Sequence, residues 1–319
     1  MAERPRFEVP GGKAAKVSII DSTLRLSRMP LSHLMKPAMD GMEMMPVVTT
    51  WSFLVESSLG KKALFDLGVP KNPLENFSPT WVKLITENNL GVEVSQNVAD
   101  ILKDNGVQPS EIDSVIWRER HFREISFEES SLQIGPFRTF DFFGDGSFYL
   151  LDTPGHAIGH LAGLARTTAN PDTFILMGGD LCHHGGEIRP SRYRPCPRDL
   201  SEHLSLSDSL RLRLSQCPGS VFDNLNVKRG RKPGETFFDP VIGVDIEQAI
   251  QTIKDAQQVD AQDNVFFVPA HDMSVAGVID EFPKTANDWK AKGWSEKTFW
   301  RFLEDFETAI STNEVSGER

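Results

Sequence analysis

The chain has 319 residues, 39% of them hydrophobic and 25% charged, which is enough apolar material for one large α/β domain or two smaller ones. Its formal net charge is −11, and Lys and Arg are scattered apart from the run "VKRGRK" at Val227–Lys232, so most of the surface would repel nucleic acid. No stretch approaches the roughly 18 apolar residues that cross a bilayer, and the opening "MAERPRFEVPGGKAAK" lacks the apolar region of a secretion signal, so a cytoplasmic protein acting on a small molecule is expected.

Residues 1–15 read as a flexible tail. "AAKVSIIDSTLRLSR" and "VVTTWSFLVES" are rich in β-branched and aromatic residues, and the second passes through the turn "SSLGKK" into "ALFDLGV" as a hairpin. Two helices follow, "SPTWVKLITENN" and "VSQNVADILKDNG"; in the second, Val94, Val98, Ile101 and Leu102 recur at i, i+4, i+7 and i+8 before Gly106 ends the run. "IDSVIW" reads as a short buried strand. From Arg123 to Asp180 strands return: "LQIGPFRTFDFF" and "SFYLLD" joined by "GDG", then "HLAGLART" and "TFILMGGD" broken by "TANPD". The last third holds a Pro- and Arg-rich loop from Ile188 to Arg198, a helix "DIEQAIQTIKDAQQ", a buried strand "NVFFVPAHD" and a terminal helix around "SEKTFWRFLEDFETA". With 311–319 as a second flexible tail, the pattern predicts one domain over 16–310 with two β-halves, each covered outside by helices. Cys182, Cys196 and Cys217 are too few and too odd in number for a disulfide framework.

Three strand ends finish in ligand-type side chains: "LLDTPGH" at His156, "ILMGGD" at Asp180 and "FFVPAH" at His271. Imidazole and carboxylate groups on loops just past rigid strands can converge on one cation, which is the arrangement a metal site needs.

Together, "LFDLGV", "IDSVIW", "DTPGHAIGH", "GGDLCHH" and "PAHD", in this order between Val47 and Ser274, resemble the metallo-β-lactamase fold superfamily, in particular its lactonase-like branch common in fungi. The resemblance implies an α/β fold of the αββα sandwich type. It also implies a dinuclear site of two zinc ions per chain at one edge, where a bridging hydroxide attacks an ester, thioester, lactone or lactam carbonyl. Position by position, it implies that His156 completes the first metal's set, that Asp180 bridges, that His271 is the last ligand of the second metal, and that Asp66 in "LFDLG" supports the ligands from behind. The substrate class it implies is a small cyclic ester or amide, or an acyl thioester, in fungal secondary metabolism or in detoxifying plant lactams.

The chain departs from the family after "VIW", where the family places H-x-H-x-D-H and this sequence reads "RERHFREISF". In one alignment the motif is altered in place. Glu119 and His121 then take its first two histidine positions, Arg123 that of the aspartate and Glu124 that of the third histidine, which leaves His121 as a metal ligand. In the other alignment the motif and its loop are missing. "FREISFEESSLQIGPF" alternates like a strand and would be the later strand, with at least one of Phe122 and Phe127 buried. Either way His156 and Asp180 remain for one metal and His271 and Asp180 for the other, short of the three protein ligands a catalytic zinc needs. A metal-poor relative, catalytically inactive or non-hydrolytic, that uses the cleft for binding is therefore the second reading.

"GGDLCHHGGE" packs Asp180, Cys182, His183, His184 and Glu187 onto one short loop, whose neighbours point in divergent directions and read mainly as structural. His183 has a separate claim. It lies three residues past the bridging position, where bacterial lactonases of this fold carry a tyrosine that polarises the substrate carbonyl, so by resemblance it is the candidate catalytic side chain. His160, four residues after His156, reads as a partner that fixes the loop through a hydrogen bond. No G-x-S-x-G elbow, G-x-G-x-x-G turn or Walker-type phosphate loop competes with this reading.

Overall fold

Alternation of apolar side chains along the strands builds two sheets that face each other. A computed structural model of the chain describes residues 3–116, 125–127, 131–197, 200 and 218–315. The first sheet runs in the order β1 (Lys16–Asp21), β4 (Trp51–Glu56), β5 (Lys62–Phe65), β7 (Ser114–Ile116). Its β1/β4 and β4/β5 pairs are antiparallel and β5/β7 is parallel. The second sheet has the order β14 (Val265–Val268), β12 (Thr173–Met177), β11 (Leu161–Thr168), β10 (Phe148–Asp152), β9 (Phe137–Asp141), β8 (Gln133–Ile134). Only β12/β14 is parallel there, the other pairs being antiparallel. Two short ladders, β2 (Leu24–Ser27) with β6 (Gly91–Val94) and β3 (Met35–Lys36) with β13 (Asp239–Pro240), form separate two-stranded sheets.

Every second residue faces the partner sheet, as the two-residue period of a strand dictates. Val17, Ile19, Phe53, Val55, Ala63 and Phe65 of the first sheet pack on Phe148, Leu150, Ala165, Ile175, Met177, Phe266 and Val268 of the second. The opposite face of the first sheet, with Ile20, Leu54 and Leu64, is covered by Val98 and Leu102 of the helix Val98–Asp104. The opposite face of the second, with Leu151, Leu164, Leu176 and Phe267, is covered by Ile253, Ala256 and Val259 of the helix Ile246–Asp260. Helix, sheet, sheet and helix stack in that order, which is the expected αββα sandwich. Burial of each large apolar side chain in the central layer contributes about 1.5–3 kcal/mol, so this layer dominates the fold.

A further apolar cluster lies to one side. Met29, Met35, Met39, Met42 and Met45 pack there with Phe237, Phe238, Phe302 and Phe306. Flexible thioethers fill the irregular gaps between the rings.

Four local expectations are revised. β7 is a half-exposed edge strand and not a buried one, because β5 is its only partner among the described residues; Val115 is 44% exposed. Ile125–Phe127 are not part of a strand, although Phe127 is buried against the central layer; Phe122 lies outside the described residues. The terminal helix is broken into a helix Trp294–Thr298, a 3-10 stretch Arg301–Phe306 and a helix Glu307–Val315. Tertiary bonds override helical propensity at this break, since the Arg301 guanidinium donates to the carbonyls of Ser274 and Ala276. The segment before β1, read from the sequence as a loose tail, is tied along the second sheet: Phe7 meets Phe174 edge to face at 6.0 Å, and Lys13 N–H donates to the Asp145 carbonyl at 3.0 Å. Among the described residues no helix is long and apolar enough to cross a membrane.

Candidate metal centre

Three loops leave the same edge of the sandwich and bring their polar side chains together. His156 follows β10 through "TPG", and Gly155 is required there. Its φ is +123°, and a Cβ would stand 2.3 Å from the Ala249 backbone nitrogen. The loop is pinned to the head of the helix Ile246–Asp260, because the carbonyls of Gly155 and His156 accept from the backbone of Asp245 and Val244. Asp180 lies on a 3-10 turn, Gly179–Leu181, directly after β12. His271 follows β14, and this loop is joined to the Asp180 turn by Ala270 N–H donating to the Gly179 carbonyl at 2.9 Å.

The Asp180 carboxylate forks between two imidazoles. Its Oδ1 is 3.1 Å from Nε2 of His271, and its Oδ2 is 3.6 Å from Nε2 of His156. His183 lies beside both histidines, with ring centroids 5.1 Å from His156 and 5.8 Å from His271, nearly parallel to the latter at 14°. His271 donates from Nδ1 to the Thr49 carbonyl at 2.7 Å, which aims Nε2 at Asp180. Thr49 is itself held: its hydroxyl donates to Asp21, which pairs with Arg25. His160 supports the Asp180 turn. Its Nδ1–H donates to the Thr153 carbonyl at 2.9 Å, and its Nε2 accepts the Asp180 backbone N–H at 3.1 Å. Asp66 leaves β5 with a φ of +64°, its carboxylate accepting from Gly68 N–H, and it stands close enough to feel the charges of Asp180 and His271.

Electrostatics follow from this crowding. Desolvation pushes the Asp66 carboxyl up to about 6, and the neighbouring Asp180 charge adds to the shift. Desolvation is the largest single influence and opposes the charged forms of Asp180 and His271, but their mutual hydrogen bond and attraction, with the other charges and hydrogen bonds around them, together outweigh it. The Asp180 carboxyl is held far below the usual range and His271 is raised to about 9. The hydrogen bond between Asp180 Oδ1 and His271 Nε2 therefore lies on the line on which a cation would have to sit.

The rest of the His-Cys loop divides. Cys182 is fully buried in the core, and burial pushes its thiol far above the ordinary value, so it offers no thiolate. His184 turns inward, its Nδ1 accepting from Gly186 N–H and its Nε2 meeting Asp305 at 3.2 Å. Glu187, buried, takes the backbone N–H groups of His183 and His184. His121, the remaining expected ligand, lies outside the described residues. Nothing in the sequence pointed to Thr49, because a backbone carbonyl leaves no residue-type signal.

Donor chemistry suits a divalent cation, since two donors on a tetrahedral ion with bonds of about 2 Å stand about 3.3 Å apart. The 3.1 and 3.6 Å separations around Asp180 bracket that spacing. Donor count does not suit two ions: each side of Asp180 has one imidazole, and among the described residues no three His, Cys, Asp or Glu side chains stand as placed to hold a metal.

No family model matches the chain. It is 35% identical to "Gamma-lactamase FDB1" of Fusarium pseudograminearum (strain CS3096) over 347 aligned positions, covering 91% of this chain and 82% of that protein. It is 34% identical to "Metallo-hydrolase mfmC" of Annulohypoxylon moriforme over 346 positions, covering 92% and 88%. Since 91% of 319 residues is about 290, about 57 of the 347 positions aligned with the Fusarium protein face no residue of this chain. Among solved structures, an N-acyl homoserine lactone hydrolase with the product N-hexanoyl-L-homoserine at its catalytic metal centre superposes with a TM-score of 0.52. At 17% identity, covering 86% of this chain and 99% of that one, this likeness speaks for the fold alone. By sequence identity and by architecture, the chain belongs to the metallo-β-lactamase fold superfamily, in the branch that holds the fungal γ-lactamases.

Proposed function

We propose that the cleft around Asp180 acts on a small lactam or lactone, or on an acyl thioester, in fungal secondary metabolism or in the disposal of plant lactams. One observation carries this reading: His156, Asp180, His183 and His271 converge from three loops at one edge of the sandwich. The names of the fungal relatives support a lactam or related carbonyl compound as substrate. In this reading His156, Asp180 and His271 are the cation donors, with zinc the ion that imidazole and carboxylate suit. His160 and Asp66 hold that set in place, and His183 faces the same space. The test is hydrolysis of a γ-lactam and an N-acyl homoserine lactone by protein purified without chelator, with zinc counted by plasma spectrometry. Weak turnover that rises with added zinc and disappears in EDTA and in His156→Ala is expected. Fast turnover in excess EDTA that ignores His156→Ala would sink the proposal.

The donor count and the roughly 57 unmatched positions favour a second reading, a metal-poor relative that binds a lactam without cleaving it. It predicts well under one zinc per chain and no turnover, with lactam binding still detectable by calorimetry.

A further inference from the structure

Accepting the cleft as the reaction site, we propose that the 3-10 stretch Arg301–Phe306 sets the directions of His183 and His271 in it, with Asp305 and Arg301 as the positioning residues. The stretch reaches two of the loops that carry the site, each through one charged side chain.

His184 is the contact on the first loop. Its Nδ1 accepts the Gly186 N–H at 2.9 Å, so in the neutral ring the proton stands on Nε2, where the Asp305 carboxylate accepts it at 3.2 Å. Phe238, Phe302 and Phe306 enclose the imidazole, with ring centroids at 5.7, 5.6 and 5.6 Å. Gly185 closes this packing, because a Cβ there would stand 2.6 Å from Phe302 Cγ. The backbone is extended at Cys182 and at His184, and side chains along extended backbone alternate in direction. With His184 locked inward, His183 is turned toward His156 and His271, its ring centroid 5.1 and 5.8 Å from theirs. Glu187 binds the backbone N–H groups of both residues but stands 3.7 Å from the His183 ring, beyond hydrogen-bond range. The direction of that ring is therefore left to the neighbour that Asp305 locks.

Arg301 is the contact on the second loop. Its Nη1 donates to the carbonyls of Ser274 and Ala276 at 2.9 and 2.7 Å, in and just after the 3-10 turn Met273–Val275 that follows His271. Asp272 opens that turn, its carboxylate accepting the Ser274 N–H at 2.8 Å, so holding the turn also holds the backbone from which His271 projects. A cavity of about 20 Å³ is lined from both loops and from the stretch, by His183, His271, Ser274, Phe302 and Asp305. The stretch thus walls the space beside both histidines. Side chains locked by packing and by hydrogen bonds from outside keep a site in its productive geometry.

The test is long-range proton–nitrogen correlation of the histidine rings in full-length protein in EDTA. In the unmodified protein His184 is expected with its proton on Nε2, a readout that needs no variant. Asp305→Ala should shift chiefly the His183 ring signals and Arg301→Ala chiefly those of His271. Asp305→Asn, whose amide oxygen still accepts the proton, should restore the original spectrum. Val98→Ala weakens the core on the outer face of the first sheet and should move neither ring, which separates positioning from lost stability. A proton on Nδ1 of His184, ring signals that ignore both substitutions, or equal shifts in Val98→Ala would overturn the assignment. In a chain that hydrolyses a lactam or lactone, Asp305→Ala should lower kcat on the order of 10-fold with KM within about 2-fold, and Asp305→Asn should recover most of the loss. Ring shifts in a chain that leaves lactams and lactones intact support the positioning and refute only the hydrolase reading. Turnover that ignores both substitutions does the reverse.

Discussion

Replacing His271 by glutamine should remove a pH dependence of stability that can be worked out from the Asp180 pair. His271 titrates near 9 in the folded protein against 6.5 ordinarily. A group whose folded pKa is raised contributes stability that is fully present below the unfolded value and is lost as pH rises through the folded one. At about 1.4 kcal/mol per tenfold change, the difference corresponds to about 3 kcal/mol. The Asp180 side chain is 36% exposed, and screening there brings the expectation to about 2 kcal/mol. Asp66 titrates near 6 and has finished before this window opens. Urea unfolding in EDTA at pH 7.0 and 9.5 should therefore show the unmodified protein losing about 2 kcal/mol more than His271→Gln, whose amide can still donate to the Thr49 carbonyl. Parallel losses in the two proteins would falsify the coupling. At the acid end the sign reverses: Asp180 is held low, so its contribution is present above 3.8 and is lost as pH falls toward its folded value.

Asp66→Asn should stabilise the metal-free protein by about 1–2 kcal/mol at pH 7.5, because a carboxyl raised to about 6 opposes folding once ionised; thermal melts with and without the substitution check this. His160→Ala should cost about 1–3 kcal/mol by leaving the Asp180 N–H without its acceptor, with His160→Gln recovering part of the loss in the same melts. Phe53→Ala, in the central layer, should cost about 3–5 kcal/mol in urea unfolding. Inserting an H-x-H-x-D-H segment with its loop after Trp117 should raise zinc toward two per chain, measured by plasma spectrometry, and lactam turnover by orders of magnitude.

Residue order alone made the architecture legible. Val17, Ile19, Phe53, Val55, Phe65, Phe148 and Leu150 alternate with residues of the opposite face, and that period dictates two sheets face to face whatever the loops do. His156, Asp180 and His271 were visible because each follows a strand by a few residues, where a rigid element fixes direction. The fate of Cys182, His183 and His184 was not, although they are adjacent. Extended backbone at Cys182 (φ −149°, ψ 152°) and His184 (φ −151°, ψ 144°) sends alternate side chains to opposite sides. Cys182 and His184 therefore enter the interior while His183 meets His156 and His271. Those dihedrals are imposed locally by Glu187 gathering the N–H groups of His183 and His184, and by packing of the helix Gly185–Ile188 under Phe302, a segment more than a hundred residues away. The Thr49 carbonyl that aims His271 lies 222 positions away in the chain, and only the closing of one sheet over the other brings it there.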